Sequence, residues 1–169
     1  MVTSLKKIAA LSTDNEQEND TFTDFLKQQD GESIDTLVLS LNEKIEPSID
    51  CTACGNCCKT LMINVTEQEA DNLGNYLNQP LETIKEQYLE RGLGNQYIIN
   101  QMPCHFLSGT VCSIYPQRFT GCREFPALNQ PHFTQRLFTV FMHYGRCPII
   151  FNVVEALKIE TGFIAPSAT

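Results

Sequence analysis

The chain contains no tryptophan, sets only 12 basic residues against 20 acidic ones, and has no apolar run long enough to cross a bilayer. The resulting net charge of −8 repels phosphate backbones and no dense Lys/Arg stripe offsets it, so nucleic acid is not expected as a partner. Lys6 and Lys7 are followed by only four apolar residues before Ser12, Thr13 and Asp14, too few for an export signal. Neither export nor a membrane is therefore expected, and the cytoplasm is the expected compartment. The phosphate loop, the G-x-G-x-x-G fingerprint, the G-x-S-x-G elbow and the H-E-x-x-H zinc helix are all missing, which removes the common nucleotide, hydrolase and metalloprotease readings. The sequons at Asn19 and Asn64 carry no meaning in a reducing cytosol.

What the chain does have is eight cysteines in 169 residues. Without a signal peptide they imply a reducing compartment, where thiols bind metal rather than pair as disulfides. Four of them fall in the octet CTACGNCC as Cys51, Cys54, Cys57 and Cys58; the others, Cys104, Cys112, Cys122 and Cys147, are spread widely. Thiols three positions apart curl around one centre, and Gly55 lets the backbone turn tightly between them. Zinc ordinarily takes two paired C-x-x-C hooks, and no second C-x-x-C follows. Cys51, Cys54 and Cys57 instead match the first three positions of the bacterial ferredoxin run, with Cys147-Pro148 as a remote fourth ligand. The favoured cofactor is thus an iron-sulfur cluster, 4Fe-4S by this spacing, with zinc as the alternative. All eight cysteines are candidate ligands, and two four-cysteine sites are possible in number. Adjacent Cys57 and Cys58 on extended backbone would point apart, leaving one of them for a second centre or a reactive position. Lys59, Arg118, Arg123 and Arg146 stand beside thiols and would favour thiolate; of His105, His132 and His143, only His105 neighbours a cysteine.

Periodicity predicts an α+β protein: one small, helix-rich domain with short strands and a hairpin around a cysteine-ligated metal site. Residues 1–20 read as a mobile arm and 21–169 as the domain. Helices are expected over 21–29 and 34–45, the latter ended by Pro47. A strand is expected over 59–65, then a helix opened by the Thr66/Glu69 capping box, and another over 81–91. Tyr97, Ile98 and Ile99 read as a strand, Ser108-Gly109 as a turn, 111–115 as a strand, and the stretch after Pro116 as a helical turn bearing Cys122. A helix with Leu137, Phe138, Phe141 and Met142 on its packed face precedes a final apolar helix beginning at Cys147-Pro148.

Taken together, the cysteine octet, the Thr66-Glu-Gln-Glu69 helix start, Pro103-Cys104-His-Phe106-Leu107, Cys112-Ser-Ile114-Tyr115, Arg118, Cys122-Arg123-Glu-Phe125-Pro126 and Cys147-Pro148 resemble the CxxCxxCC zinc- or iron-chelating family, the YkgJ-type cysteine-cluster proteins. The resemblance runs over about residues 49–158. One departure is Phe119, where the family usually has proline after Arg118; proline there would only stiffen a turn. The resemblance implies metal or iron-sulfur binding without a defined activity. A related cluster region resembles that of flagellin lysine N-methylases, but this chain has little beyond the cluster domain to hold a methyl donor and a protein substrate. The expected function is electron transfer or redox chemistry with a protein partner; the alternatives are a structural zinc module for protein-protein contacts and a metal-dependent enzyme that modifies proteins.

Overall fold

The computed structural model describes residues 1–94 and 96–165, so the last four residues of the expected domain lie outside the described residues. The fold is α+β, dominated by helices, with short antiparallel strands. The chain divides into two compact units: Met1–Asp50 with Pro126–Thr169, and Cys51–Phe125.

The first unit is helical: α1 (Leu5–Asp14), α2 (Glu16–Leu26), α3 (Gly31–Ile45), α9 (Leu137–Tyr144) and α10 (Pro148–Glu160). Residues 1–20, expected as a mobile arm, are helical instead: Ser4 caps α1 by accepting from the Lys7 amide, and Ile8 is wholly buried. Several of its polar residues turn inward and find partners, Asn15 on the Tyr144 hydroxyl at 3.1 Å and Glu18 on Lys158 at 2.7 Å, which a reading of composition could not show. Asp30 caps α3 through the Ser33 amide at 2.9 Å, and Ile34, Val38 and Leu41 form its buried stripe. The Asp35 carboxylate accepts from the His132 and Phe133 amides at 2.6 and 2.8 Å, fastening a 3-10 turn (Phe133–Gln135) to α3.

Helix α10 is the axis of this unit, buried from Pro148 through Val154 and again at Leu157 and Lys158. Its one buried cation is paired: Lys158 Nζ lies 2.7 Å from Glu18 and 2.8 Å from Glu155. Helix α9 presents a different face from the expected one. Leu137, Val140 and Tyr144 are buried, whereas Phe138 is 84% exposed and Met142 46%. The rotation follows Tyr144, whose ring packs on Phe151 with centroids 4.9 Å apart while its hydroxyl donates to Glu155 at 2.7 Å. No single helix among the described residues is long and apolar enough to cross a membrane; α9 and α10 together match such a span only by length and composition, and they meet at 115°.

The second unit carries α4 (Cys51–Cys54), α5 (Cys57–Thr60), α6 (Glu67–Leu77), α7 (Leu81–Tyr88) and α8 (Thr120–Glu124). It also holds β1 (Asn64–Val65), β2 (Leu89–Arg91), β3 (Tyr97–Ile99), β4 (Leu107–Ser108) and β5 (Val111–Cys112). The sheet runs β1-β3-β2, all antiparallel, with Val65 opposite Tyr97 and Leu89 opposite Ile99. Two expectations change here. The strand expected over 59–65 shortens to β1, because residues 57–60 close a helical turn through the Leu61 amide and the Cys57 carbonyl at 2.9 Å. The helix expected over 81–91 stops at Tyr88, and its last three residues join β3, where Arg91 also reaches over the Tyr97 ring. Strand pairing there outweighs the good helix propensity of Leu-Glu-Arg, which amounts to only a few tenths of a kcal/mol per residue. Val65, Leu73, Ile84, Ile99, Phe106 and Phe119 belong to the core, and Cys104, Cys112 and Cys122 pack against it.

Candidate metal centre

The cysteine octet, expected as a loop, forms two single helical turns hinged at Gly55. The Gly55 amide closes α4 on the Cys51 carbonyl at 2.9 Å, and the chain then reverses at φ +59°, a left-handed conformation that suits glycine. There is a second reason for glycine. A Cβ on residue 55 would lie 2.6 Å from the Thr110 carbonyl oxygen and 2.9 Å from the Thr110 Cα, so the octet seats directly on the backbone of the β4-β5 hairpin turn. Another backbone bond, from the Cys104 amide to the Cys58 carbonyl at 2.8 Å, ties in the segment ahead of the hairpin.

The hairpin places Cys112 opposite Leu107. Cys122 arrives on α8, whose first amides turn back on buried Phe119: the Cys122 amide donates to the Phe119 carbonyl at 3.0 Å. Helix α8 is in turn held by Glu69. One carboxylate oxygen closes the capping box with Thr66, and the other accepts from the Thr120 amide at 2.7 Å. The box visible in the sequence is therefore also a clamp on the cysteine helix 51 residues further on. Burial pushes the Glu69 carboxyl up, but the bonds from Thr120 and Thr66 outweigh it and hold the group below its ordinary range.

These supports converge on a cavity of about 70 Å³ lined by Cys51, Cys57, Cys58, Cys104, Cys112 and Cys122 together with apolar side chains. Six of the eight candidate ligands thus share one space. Cys54, at the end of α4, is half-buried and not among the lining residues; Cys147 belongs to the helical unit, buried at the start of α10. There is no disulfide among the described residues. Nor do any three Cys, His, Asp or Glu side chains among them form a ready-made cage for one ion; the thiols ring a space instead. Of the histidines, His105 stacks edge-on to Tyr88 and lies 2.6 Å from Asn100 Oδ1, outside the lining.

Adjacent Cys57 and Cys58 do not diverge as extended backbone would require: on the α5 turn both line the cavity. The neighbouring Cys58 thiol brings the Cys57 thiol down, against its burial. Cys57 in turn pushes Cys58 up, followed by burial and by the neighbouring Cys112 and Cys104. Burial first, and then the surrounding thiols, push Cys122 up to about 12, with Arg118 opposing. Burial likewise raises Cys104 and Cys112. A cavity of crowded thiols, most of them held above their ordinary range so that they ionise together only when positive charge enters, suits a soft metal.

The family model for "CxxCxxCC: Putative zinc- or iron-chelating domain" matches residues 50–140, more than half of the 169-residue chain. The chain belongs to this family. The CxxCxxCC match begins one residue before the octet and takes in every lining cysteine, so the sequence motif and the cavity describe the same metal-binding cysteine cluster. No curated protein and no solved structure matches the chain.

Proposed function

We propose that the cysteine cavity holds an iron-sulfur cluster, 4Fe-4S in the simplest form, and that the protein passes electrons or performs redox chemistry with a protein partner in the cytoplasm. One observation carries this reading: six thiols ring a single cavity rather than converging on a point. A zinc ion takes four donors, each about 2.3 Å from one centre in the case of sulfur, whereas an iron-sulfur core needs its cysteines held apart around a space. Cys51, Cys57, Cys58, Cys104, Cys112 and Cys122 are the residues in place to hold it, two more than one such cluster takes. When bound, the cluster supplies one-electron transfer.

The chain's own residues do the rest. Phe106, Ile114 and Phe119, all nearly buried, shield the cavity from water, which lowers the dielectric around its sulfurs. Burial and crowding favour the protonated form of Cys58, Cys104, Cys112 and Cys122, so ligation by these thiols would release protons. The acidic net charge supports a protein partner over a phosphate backbone.

Protein purified without air should be brown, contain iron and acid-labile sulfide, and absorb broadly in the visible. Colourless protein with stoichiometric zinc, and no iron even after reconstitution, would overturn the reading in favour of a structural zinc module whose chelation unfolds the domain.

A further inference from the structure

Among the described residues, the cavity is lined by a single cationic side chain, Arg118. Of the other cations expected near thiols, Lys59 and Arg123 are exposed and outside the lining. Arg118 is held at both ends. Its guanidinium stacks 3.7 Å from the centroid of the Tyr115 ring, and its Nε donates to the Tyr115 carbonyl at 3.2 Å. Its own carbonyl accepts from Arg123 Nη1, while Arg123 Nη2 reaches Thr120 Oγ1 at 3.1 Å. The bond to its own turn uses Nε alone, so the two Nη nitrogens are the donors left for sulfur. The cavity it lines is shared by Cys57, Cys112 and Cys122, which come from three separate segments. The stack and the turn bond hold the guanidinium beside the cavity instead of leaving it free to extend into solvent. A cation fixed there offsets the negative charge that thiolate ligands bring to any metal.

We propose that Arg118 is a positioning residue of the centre: its ring-stacked guanidinium, among the thiols of the cavity, donates to ligand sulfur through Nη, slows metal loss, and raises the reduction potential of a cluster held there. The retention part rests on the cavity binding metal; the potential part rests also on that metal being iron-sulfur. A positive charge beside the sulfurs favours the reduced, more negative state of a one-electron couple, so removing it favours the oxidised state.

The test uses the full-length holoprotein, wild type, Arg118→Gln and Arg118→Lys, each prepared without air. Metal and sulfide analysis of the wild type comes first and decides the metal reading by itself; wild type that holds no metal removes the reading and this proposal together. Whichever metal is present, its release to excess EDTA is then timed. Arg118→Gln should lose metal about 10- to 100-fold faster, the range for a residue that orients a ligand, and Arg118→Lys should fall between it and wild type. If iron and sulfide are present, a redox titration should show the ratio of oxidised to reduced cluster at a fixed potential rising about tenfold in Arg118→Gln, a 59 mV fall in midpoint for one electron. If zinc is present, the release rate decides alone. Wild-type release from Arg118→Gln, or an unchanged midpoint in an iron-sulfur protein, overturns the proposal. So does a lysine variant that releases metal as slowly as wild type, because a bare charge without the ring-stacked Nη donors would then suffice. Urea unfolding of the metal-free proteins separates a lost fold from a lost cation, and if Arg118→Gln does not fold, Arg118→Lys against wild type carries the test.

Discussion

Replacing Gly55 by alanine should damage this protein more than the same change at any other left-handed glycine, for a reason that can be isolated. Two terms add at Gly55. Its φ of +59° would cost an L-residue roughly 1–2 kcal/mol. Its new Cβ would also stand 2.6 Å from the Thr110 carbonyl oxygen and 2.9 Å from the Thr110 Cα. Both are backbone atoms, so no rotamer relieves the contact and the octet must lift from the hairpin, at a further cost of about 1–3 kcal/mol. Gly109 is the control: its φ is +64°, but a Cβ there would meet nothing within 4 Å, so Gly109→Ala carries only the conformational term. Urea unfolding of the two variants should differ by about 1–3 kcal/mol at equal slope. The loss should also reach the metal, because lifting the octet moves Cys51, Cys57 and Cys58 away from Cys112. Gly55→Ala should therefore hold substoichiometric metal while Gly109→Ala holds the wild-type amount. Equal unfolding midpoints, or wild-type metal content in Gly55→Ala, would refute the seating of the octet on the hairpin.

Glu69→Ala should cost about 1–3 kcal/mol, because it leaves the Thr120 amide without its acceptor and opens the capping box. Since the Glu69 carboxyl is held below its ordinary 4.5, it contributes stability above that pH and loses it as pH falls through the lower folded value. The gap between wild type and Glu69→Ala in urea midpoint should accordingly narrow between pH 7 and pH 3. Raised thiols work in the opposite sense: with Cys104, Cys112 and Cys122 above the ordinary 9.0, the metal-free chain should lose stability as pH rises past 9. By the same linkage metal binding should release protons at neutral pH, measurable as a dependence of the calorimetric heat on buffer ionisation, and apparent affinity should climb from pH 6 to pH 9. Cys122→Ser, inside the cavity, should lose most of the metal, whereas Cys54→Ser, outside its lining, should retain most of it; equal loss in the two would show that the octet re-folds around the metal.

Local chemistry was readable from the sequence because it depends on neighbours in the chain. The Thr66/Glu69 box, the helix opened by Cys147-Pro148, the strand at Tyr97 to Ile99 and the turn at Gly109 all rest on residues a few positions apart. The eight thiols, their metal character and the family followed from spacing and residue type alone. The tertiary structure decided which thiols meet. A C-x-x-C-x-x-C run suggests three ligands on one hook, yet the reversal at Gly55 leaves Cys54 off the cavity, and Cys104, Cys112 and Cys122 line it instead, delivered by a hairpin turn and a helix clamped 51 residues away by Glu69. The second oxygen of that carboxylate, the Thr110 backbone under Gly55 and the guanidinium stacked on Tyr115 leave no trace in local pattern, because each is a contact between segments that only the packed core brings together.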